Sequence, residues 1–140
     1  MKKEKNNSYF SDLKEGDMLY GLLFGKGKVV NVYGKDDFYY FEVEYNNNCN
    51  VHYTIDGFPN WGNFDEQTVF YQDDINIIDY DISPISKVLS IKQIIKLISK
   101  NKLEIRTKSG IWRDFCKTPH DYREETLENK HFHLFRKRPS

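Results

Sequence analysis

Apolar and polar positions alternate along the first half of the chain, which predicts short β-strands at residues 18–24, 28–33, 38–45, 51–55 and 67–71. The clearest run is residues 38–45. Its apolar face carries Tyr39, Phe41, Val43 and Tyr45. Glu42 and Glu44 point to the opposite face, because successive strand residues alternate sides. Five strands in series predict an antiparallel meander that curls into a small barrel and so protects its edges.

Turn residues divide these strands. The run Gly25-Lys26-Gly27 predicts a tight reversal, because glycine tolerates positive φ. The same run invites comparison with a phosphate-binding loop, but it lacks the full spacing of that motif and is flanked by strands. Residues 56–64 hold two Gly, one Pro and two Asn together with Trp61 and Phe64. This composition predicts a loop that packs on the protein or faces a ligand, with Trp61 exposed.

The pattern changes to helical spacing in the second half. Apolar residues three and four apart predict one helix at residues 90–100: Ile91, Ile94, Ile95 and Ile98. Ser90 and Gln93 match a capping box at its start, and Asn101 can leave the helix in a left-handed conformation. A hairpin at residues 103–107 and 111–115 and a strand at 131–136 follow. Residues 118–129 are polar and irregular, with only a weak helical tendency at 124–129. The fold class is therefore α+β and mainly β.

The charge of the chain is divided between its two halves. Residues 1–81 hold 7 Lys or Arg and 15 Asp or Glu, a net −8, and residues 82–140 hold 14 and 6, a net +8. Either the halves face each other and complement their fields, or a basic binding face lies opposite an acidic one. We predict a disordered tail at 1–8, a barrel at 9–81 and a basic helix-plus-hairpin segment at 82–140 that packs on the barrel or stands apart.

The first half resembles the Tudor-like barrels at the ends of some bacterial helicases. The likeness lies in Gly16-Asp17, in residues 24–30 (FGKGKVV) and in the alternating strand after them. With residues 53–57 (YTIDG) and 68–71 (TVFY), the stretch is also similar to small uncharacterised bacteriophage proteins. These resemblances imply an SH3- or Tudor-like barrel and a phage or prophage origin.

The second half resembles a short module that recurs in phage proteins. A helix precedes residues 103–107 (LEIRT), 112–115 (WRDF) and the closing 135–139 (FRKRP). The module usually ends in an aromatic, Arg, Ile, Lys, Pro run, and Lys137 stands here in place of the apolar residue. Neither resemblance implies an activity or catalytic residues.

Candidate chemistry in the sequence is sparse. The chain has the four side chains that a Cys₂His₂ zinc site requires, namely Cys49, His52, Cys116 and His120. We nevertheless expect free thiols and no bound metal. A thiol nucleophile with its base could be formed by Cys116, His120 and Asp121. These residues lie within six positions on one predicted loop, whereas such triads are normally assembled from distant positions. We therefore predict no enzyme activity and no cofactor. No apolar run is long enough to cross a bilayer and no export signal is evident, which predicts a cytoplasmic protein of the host cell.

The leading functional hypothesis is a non-catalytic phage protein that binds and inhibits a host or defence protein. Its predicted partner-binding residues are Glu42, Glu44, Trp61, Phe64, Asp73 and Asp74. The alternative is nucleic-acid binding through a basic and aromatic face. Its predicted residues are Arg106, Lys108, Trp112, Arg113, Arg123, Arg136 and Arg138. A third hypothesis is sequestration of a small nucleotide, which requires a pocket lined by arginine and aromatic side chains.

Overall fold

A computed structural model describes residues 9–34, 36–46, 48–76 and 89–139. The predicted tail at 1–8 and the predicted boundary between the segments at 81–82 lie outside the described residues. The fold class is confirmed: the chain is α+β and mainly β, and its described residues form a curled five-stranded antiparallel sheet, three helices and a small three-stranded antiparallel sheet.

The larger sheet contains the five predicted strands: the first four form an antiparallel meander, and the fifth pairs with the first instead of with the fourth. Its strands are β1 (Met18–Gly21), β2 (Gly25–Val32), β3 (Phe41–Tyr45), β4 (Asn50–Tyr53) and β5 (Val69–Tyr71). Their order across the sheet is β4-β3-β2-β1-β5. The sheet curls so that its ends approach each other: the amide and hydroxyl of Thr68 donate to the carbonyl of Gly57 at 3.0 and 3.1 Å. These bonds join the loop after β4 to the start of β5.

The hairpin between β1 and β2 corrects the predicted turn. Gly25-Lys26-Gly27 lies inside β2, and the chain reverses through Leu22, Leu23 and Phe24. Leu23 has a φ of 88° even though leucine disfavours this region. Leu22 and Leu23 are both buried, because the hairpin tip inserts into the hydrophobic core that the second half shares. Burial of the tip, which the local sequence does not reveal, outweighs the usual preference for a glycine turn.

The predicted long helix is present as α2 (Ile91–Ser99), following the five-residue helix α1 (Gln72–Asn76). Both hydrogen bonds of the Ser90 and Gln93 capping box form. Asn101 adopts the predicted left-handed conformation, with a φ of 59°, and the amide of Lys102 donates to the carbonyl of Leu97 at 2.8 Å. Local sequence signals therefore fix both ends of α2.

The smaller sheet consists of β6 (Leu103–Arg106), β7 (Trp112–Asp114) and β8 (Phe135–Lys137), in the order β7-β6-β8. The prediction that residues 118–129 are mostly irregular is wrong, because α3 (His120–Glu128) lies there and extends well before the weak helical tendency predicted at 124–129. Only Thr126 and Leu127 of this helix are buried, so it lacks the apolar stripe that signals a helix. The predicted strand at 131–136 begins only at Phe135, after a turn of 3₁₀-helix at Phe132–Leu134.

One hydrophobic cluster takes residues from both halves of the chain. It joins Leu22 and Phe70 of the five-stranded sheet region to Ile94, Phe115 and Phe135 of the second half. A second cluster fills the inside of the curled sheet with Phe10, Leu19, Val29, Phe41, Val43, Val51 and Val69. The two halves therefore pack against each other through buried apolar side chains.

Candidate binding surface

The outer face of β2, β3 and β4 carries a row of polar side chains. Asn31 of β2 pairs with Glu42 of β3, which pairs with His52 of β4. Paired residues of an antiparallel sheet project on the same side. A break in register between Val29 and Asn31 places Asn31, instead of Val30, opposite Glu42. The bulge therefore sets the polar row.

Glu42 is the centre of this row, and its side chain is only 12% exposed. Its Oε1 accepts from Asn31 Nδ2 at 2.6 Å and from the Tyr33 hydroxyl at 3.1 Å, and its Oε2 accepts from Asn50 Nδ2 at 2.8 Å. His52 Nε2 lies 3.8 Å from Oε1. The bonds from Asn50 and then Asn31 lower the pKa of Glu42, although burial opposes them. Glu42 is therefore a fixed negative charge at neutral pH.

Aromatic rings line the same part of the face. The Tyr33 ring lies at 13° to the His52 ring, with 6.1 Å between the two centroids. The Tyr39 ring centroid lies 6.0 Å from the His52 centroid. Phe38 meets Tyr39 edge to face at 4.8 Å. Phe38 is 76% exposed and Tyr33 36%. We call Tyr33, Phe38, Tyr39 and His52, together with Glu42, the aromatic-acidic surface.

The loop between β2 and β3 holds these rings in place. Tyr33 donates its amide to the carbonyl of Tyr40 at 2.7 Å, which extends the pairing of the two strands. Inside the loop, the Asp37 carboxylate accepts from the Gly34 amide at 2.9 Å, and the Asp37 amide donates to the Gly34 carbonyl at 3.0 Å. Asp36 and Asp37 are both exposed, so two carboxylates lie at the rim of the surface.

The sequence prediction missed most of this surface. The alternation predicts that Tyr39 shares the core face with Phe41. In the structure Tyr40 is buried in the core, and Tyr39 is half-buried on the aromatic-acidic surface. Regular alternation starts at Phe41, where β3 begins. Among the predicted partner-binding residues, Glu42 belongs to the aromatic-acidic surface. Glu44 is exposed one row away, opposite Lys28.

The remaining predicted partner residues lie elsewhere. Trp61 is half-buried, contacts Phe64 edge to face at 5.0 Å and packs against both hydrophobic clusters. Its Nε1 is buried and meets no hydrogen-bond acceptor among the described residues. The expected exposure of Trp61 is therefore wrong: the indole contributes to the core. Asp73 and Asp74 lie on α1, where Asp74 accepts a hydrogen bond from the Tyr9 hydroxyl.

Several residues of the predicted nucleic-acid face are engaged within the protein. The Arg136 guanidinium stacks on Trp112 at 4.2 Å, and its Nε contacts Glu104 at 2.8 Å. Arg138 contacts Asp114 at 3.4 Å and donates to the carbonyl of Asn101 at 2.6 Å. These pairs offset both positive charges and cover one face of the indole ring.

The other predicted basic residues differ in their burial and in the side of the small sheet from which they project. Arg123 is half-buried with its guanidinium 5.0 Å from the Phe115 ring, and desolvation lowers its pKa. Arg106, Lys108 and Arg113 are exposed on or beside the β6–β7 hairpin. Arg113 pairs with the core residue Ile105, so it projects from the face opposite Trp112. The predicted set therefore does not form one continuous face.

The possible thiol and metal chemistry has little support. Cys49 and Cys116 are free, and desolvation followed by the charge of Asp114 raises the pKa of the Cys116 thiol. This disfavours the nucleophilic thiolate. His120 stacks on Phe24 at 5.5 Å. Among the described residues, no three His, Cys, Asp or Glu side chains are grouped as metal ligands.

Two surface hollows of about 410 and 310 Å³ flank Met18. Their linings include Glu44 and Asn48 on one side and Asp17 and Asp73 on the other, and neither lining contains an arginine. They therefore lack the lining that nucleotide sequestration would require. Within the described part of the chain, no helix has the length and apolar character needed to span a membrane.

No protein family, curated protein or solved structure matches the chain. The resemblances to Tudor-like barrels and to phage proteins therefore stay predictions.

Proposed function

We propose that the protein is a non-catalytic binding protein whose aromatic-acidic surface engages a partner protein. The observation that carries this proposal is the arrangement of exposed rings beside an ionised, hydrogen-bonded carboxylate on one sheet face. Aromatic side chains are enriched among the residues that contribute most of the binding free energy of protein interfaces, because each ring covers a large area with few rotatable bonds.

The exposure of Phe38 favours this surface over other parts of the described chain. Its ring is 76% exposed while it contacts Tyr39, so it extends a patch instead of standing alone. Single exposed apolar side chains need no explanation, but a contiguous patch with a polar rim is typical of an interaction site. The exposed carboxylates of Asp36 and Asp37 supply that rim.

The partner that we propose is a host or defence protein that the chain inhibits by covering a basic region. The acidic rim and Glu42 supply complementary charge, which steers association and selects the partner. The phage context rests on sequence resemblance alone. Inhibition would require no reaction centre, since occupancy of the partner's surface is sufficient.

Affinity capture with matched variants tests the proposal. The wild-type chain should recover a stoichiometric partner from host lysate, and Phe38→Ala should reduce recovery at least about fivefold, a loss of about 1 kcal/mol. Ile111→Ala is the control, because Ile111 is 60% exposed in the β6–β7 hairpin of the other half. Equal recovery by Phe38→Ala and wild type would refute the surface.

Nucleic-acid binding is the second candidate, favoured by the exposure of Arg106, Lys108 and Arg113 beside the β6–β7 hairpin. Retention of a labelled oligonucleotide, with affinity that falls steeply as salt rises, would support it. Arg113→Glu should weaken such binding, whereas Arg136→Glu should also disturb the contacts with Glu104 and Trp112. No gel shift at physiological salt would exclude this candidate.

A further inference from the structure

We propose that the aromatic-acidic surface recognises an arginine side chain presented by the partner protein, an inference that rests on the proposed function. The guanidinium would stack on the exposed rings and interact with Glu42. The proposal assigns a class of ligand, the guanidinium group, to the side chains on the outer face of the sheet.

The rings favour a flat cation. Tyr33 and His52 are nearly parallel, at 13°, and Tyr39 is tilted against His52 at 55°, so three neighbouring rings lie on the surface in two orientations. The face of an aromatic ring carries negative partial charge and attracts cations. A guanidinium is planar and weakly hydrated, and therefore stacks on rings more readily than the ammonium of lysine.

The described residues leave Glu42 one acceptor position for such a ligand. A carboxylate offers about four lone-pair positions. Asn31 and Tyr33 occupy two on Oε1, and Asn50 occupies one on Oε2. We therefore expect arginine to donate a single hydrogen bond to Oε2 and to gain the rest of its binding energy by stacking on the rings. The same three donors keep the carboxylate in place before the ligand arrives, which reduces the ordering cost of binding.

The carboxylates of the surface distinguish a positively charged ligand from other ligands that bind to aromatic rings. An acidic segment would be repelled by Glu42 and by the exposed Asp36 and Asp37, and an uncharged segment would gain no charge attraction from them. A basic segment gains attraction from all three carboxylates. The surface therefore selects a positively charged segment, and within it the arginine.

Nuclear magnetic resonance titration with three pentapeptides tests this inference. Each peptide has one central residue between glycines, with both ends blocked, and that residue is arginine, lysine or citrulline. The arginine peptide should shift the ring signals of Tyr33 and His52 and should bind at least about threefold more tightly than the lysine peptide. Citrulline keeps the shape of arginine without the charge, and its peptide should cause no saturable shift.

Two charge-removing variants on the same strand complete the test. Glu42→Gln should weaken binding of the arginine peptide about fivefold, whereas Glu44→Gln, one row away and outside the surface, should change it less than twofold. A thermal melt of each variant establishes that the fold is retained. Equal losses in both variants would show only general charge attraction and would overturn the inference.

The remaining outcomes separate this inference from the proposed function. If Phe38→Ala abolishes partner capture while the arginine peptide leaves the rings unperturbed, the arginine assignment fails and the interaction surface stands. If capture is indifferent to Phe38→Ala, the proposed function fails. A wild-type chain that sediments as a dimer, together with a monomeric Glu42→Gln variant, would overturn the inference in favour of a second copy as the occupant.

Discussion

At the scale of single residues, two buried tyrosines determine which neighbours fit on the inner face of the curled sheet. The hydroxyls of Tyr45 and Tyr53 lie 2.5 Å apart and hydrogen-bond to each other in the core. Burial raises the pKa of both phenols, so both stay protonated. Gly21 and Gly27 pass directly beside these side chains, and their missing Cβ atoms leave the space that the rings occupy.

Gly21→Ala should destabilise the protein by about 1–3 kcal/mol, the range for overpacking a dense core. Its Cβ would overlap the Tyr45 hydroxyl, which cannot move away without losing Tyr53. Urea unfolding measures the change. Gly34→Ala is the control, since its Cβ would lie 3.5 Å from the nearest atom, an Asp37 oxygen, and should cost less than about 0.5 kcal/mol. Similar effects of both substitutions would contradict the packing argument.

Glu42 predicts a specific acid sensitivity. Its folded pKa lies below its unfolded value of about 4.5, so the folded state binds fewer protons than the unfolded state between the two values. The stabilisation is complete above the unfolded pKa and is lost as pH falls through the folded pKa. Urea unfolding at pH 6 and pH 3 should therefore show a smaller acid-induced loss in Glu42→Gln than in wild type. Glu44→Gln should retain more of the wild-type loss, and the reverse order would contradict the assignment.

At the scale of elements, α2 shows how local hydrogen bonding fixes a helix. The Ser90 hydroxyl accepts from the Gln93 amide at 3.2 Å, and the Gln93 side chain accepts from the Ser90 amide at 2.9 Å. Both amides would otherwise lack partners at the helix start. The apolar stripe of the helix then packs on the tip of the β1–β2 hairpin, where Gly25 lies against Ile98.

Ser90→Ala should lower the free energy of unfolding by about 1 kcal/mol, the usual effect of losing a capping side chain. The effect should be smaller for Ser90→Asp, because aspartate also accepts from the amide of Gln93. Urea unfolding of the three proteins gives the comparison. If Ser90→Asp were as unstable as Ser90→Ala, the hydroxyl would stabilise the chain by some contact other than the cap.

At the scale of the whole molecule, the shared hydrophobic cluster makes the two halves depend on each other. Ile95 is fully buried in α2, within a cluster that includes Leu22 and Phe70 of the first half and Phe135 of the second. Lys130 also contacts Asp65 across the halves at 2.7 Å, but this pair is exposed and contributes little. Part of the opposed charge of the two halves is thus met within the chain, while apolar burial holds them together.

Ile95→Ala should destabilise both halves together by about 2–5 kcal/mol. The chain has two tryptophans, Trp61 in the first half and Trp112 in the second, so Trp→Phe variants leave one fluorescent probe in either half. Ile95→Ala should shift the urea midpoint of both probes equally. A shift confined to Trp112 would show that the curled sheet of the first half unfolds independently of the second half.

The sequence by itself determined the elements whose signals are local. The ends of α2 follow from Ser90, Gln93 and Asn101, because these residues hydrogen-bond or set dihedral angles within a few positions of themselves. The strands from Phe41 to Tyr53 follow from alternation, because one face of the sheet is buried and the other is solvated. Contacts between neighbours in sequence are sufficient for both.

Only the tertiary structure decided which residues are buried where that alternation fails. The Leu22 and Leu23 turn, the exchange of Tyr39 for Tyr40 in the core and the covering of Trp61 all depend on segments distant in sequence. The aromatic-acidic surface has the same origin, since Tyr33, Glu42 and His52 meet only when three strands pair in one register. Burial is a property of the packed chain, and no local pattern encodes the neighbour that covers a given side chain.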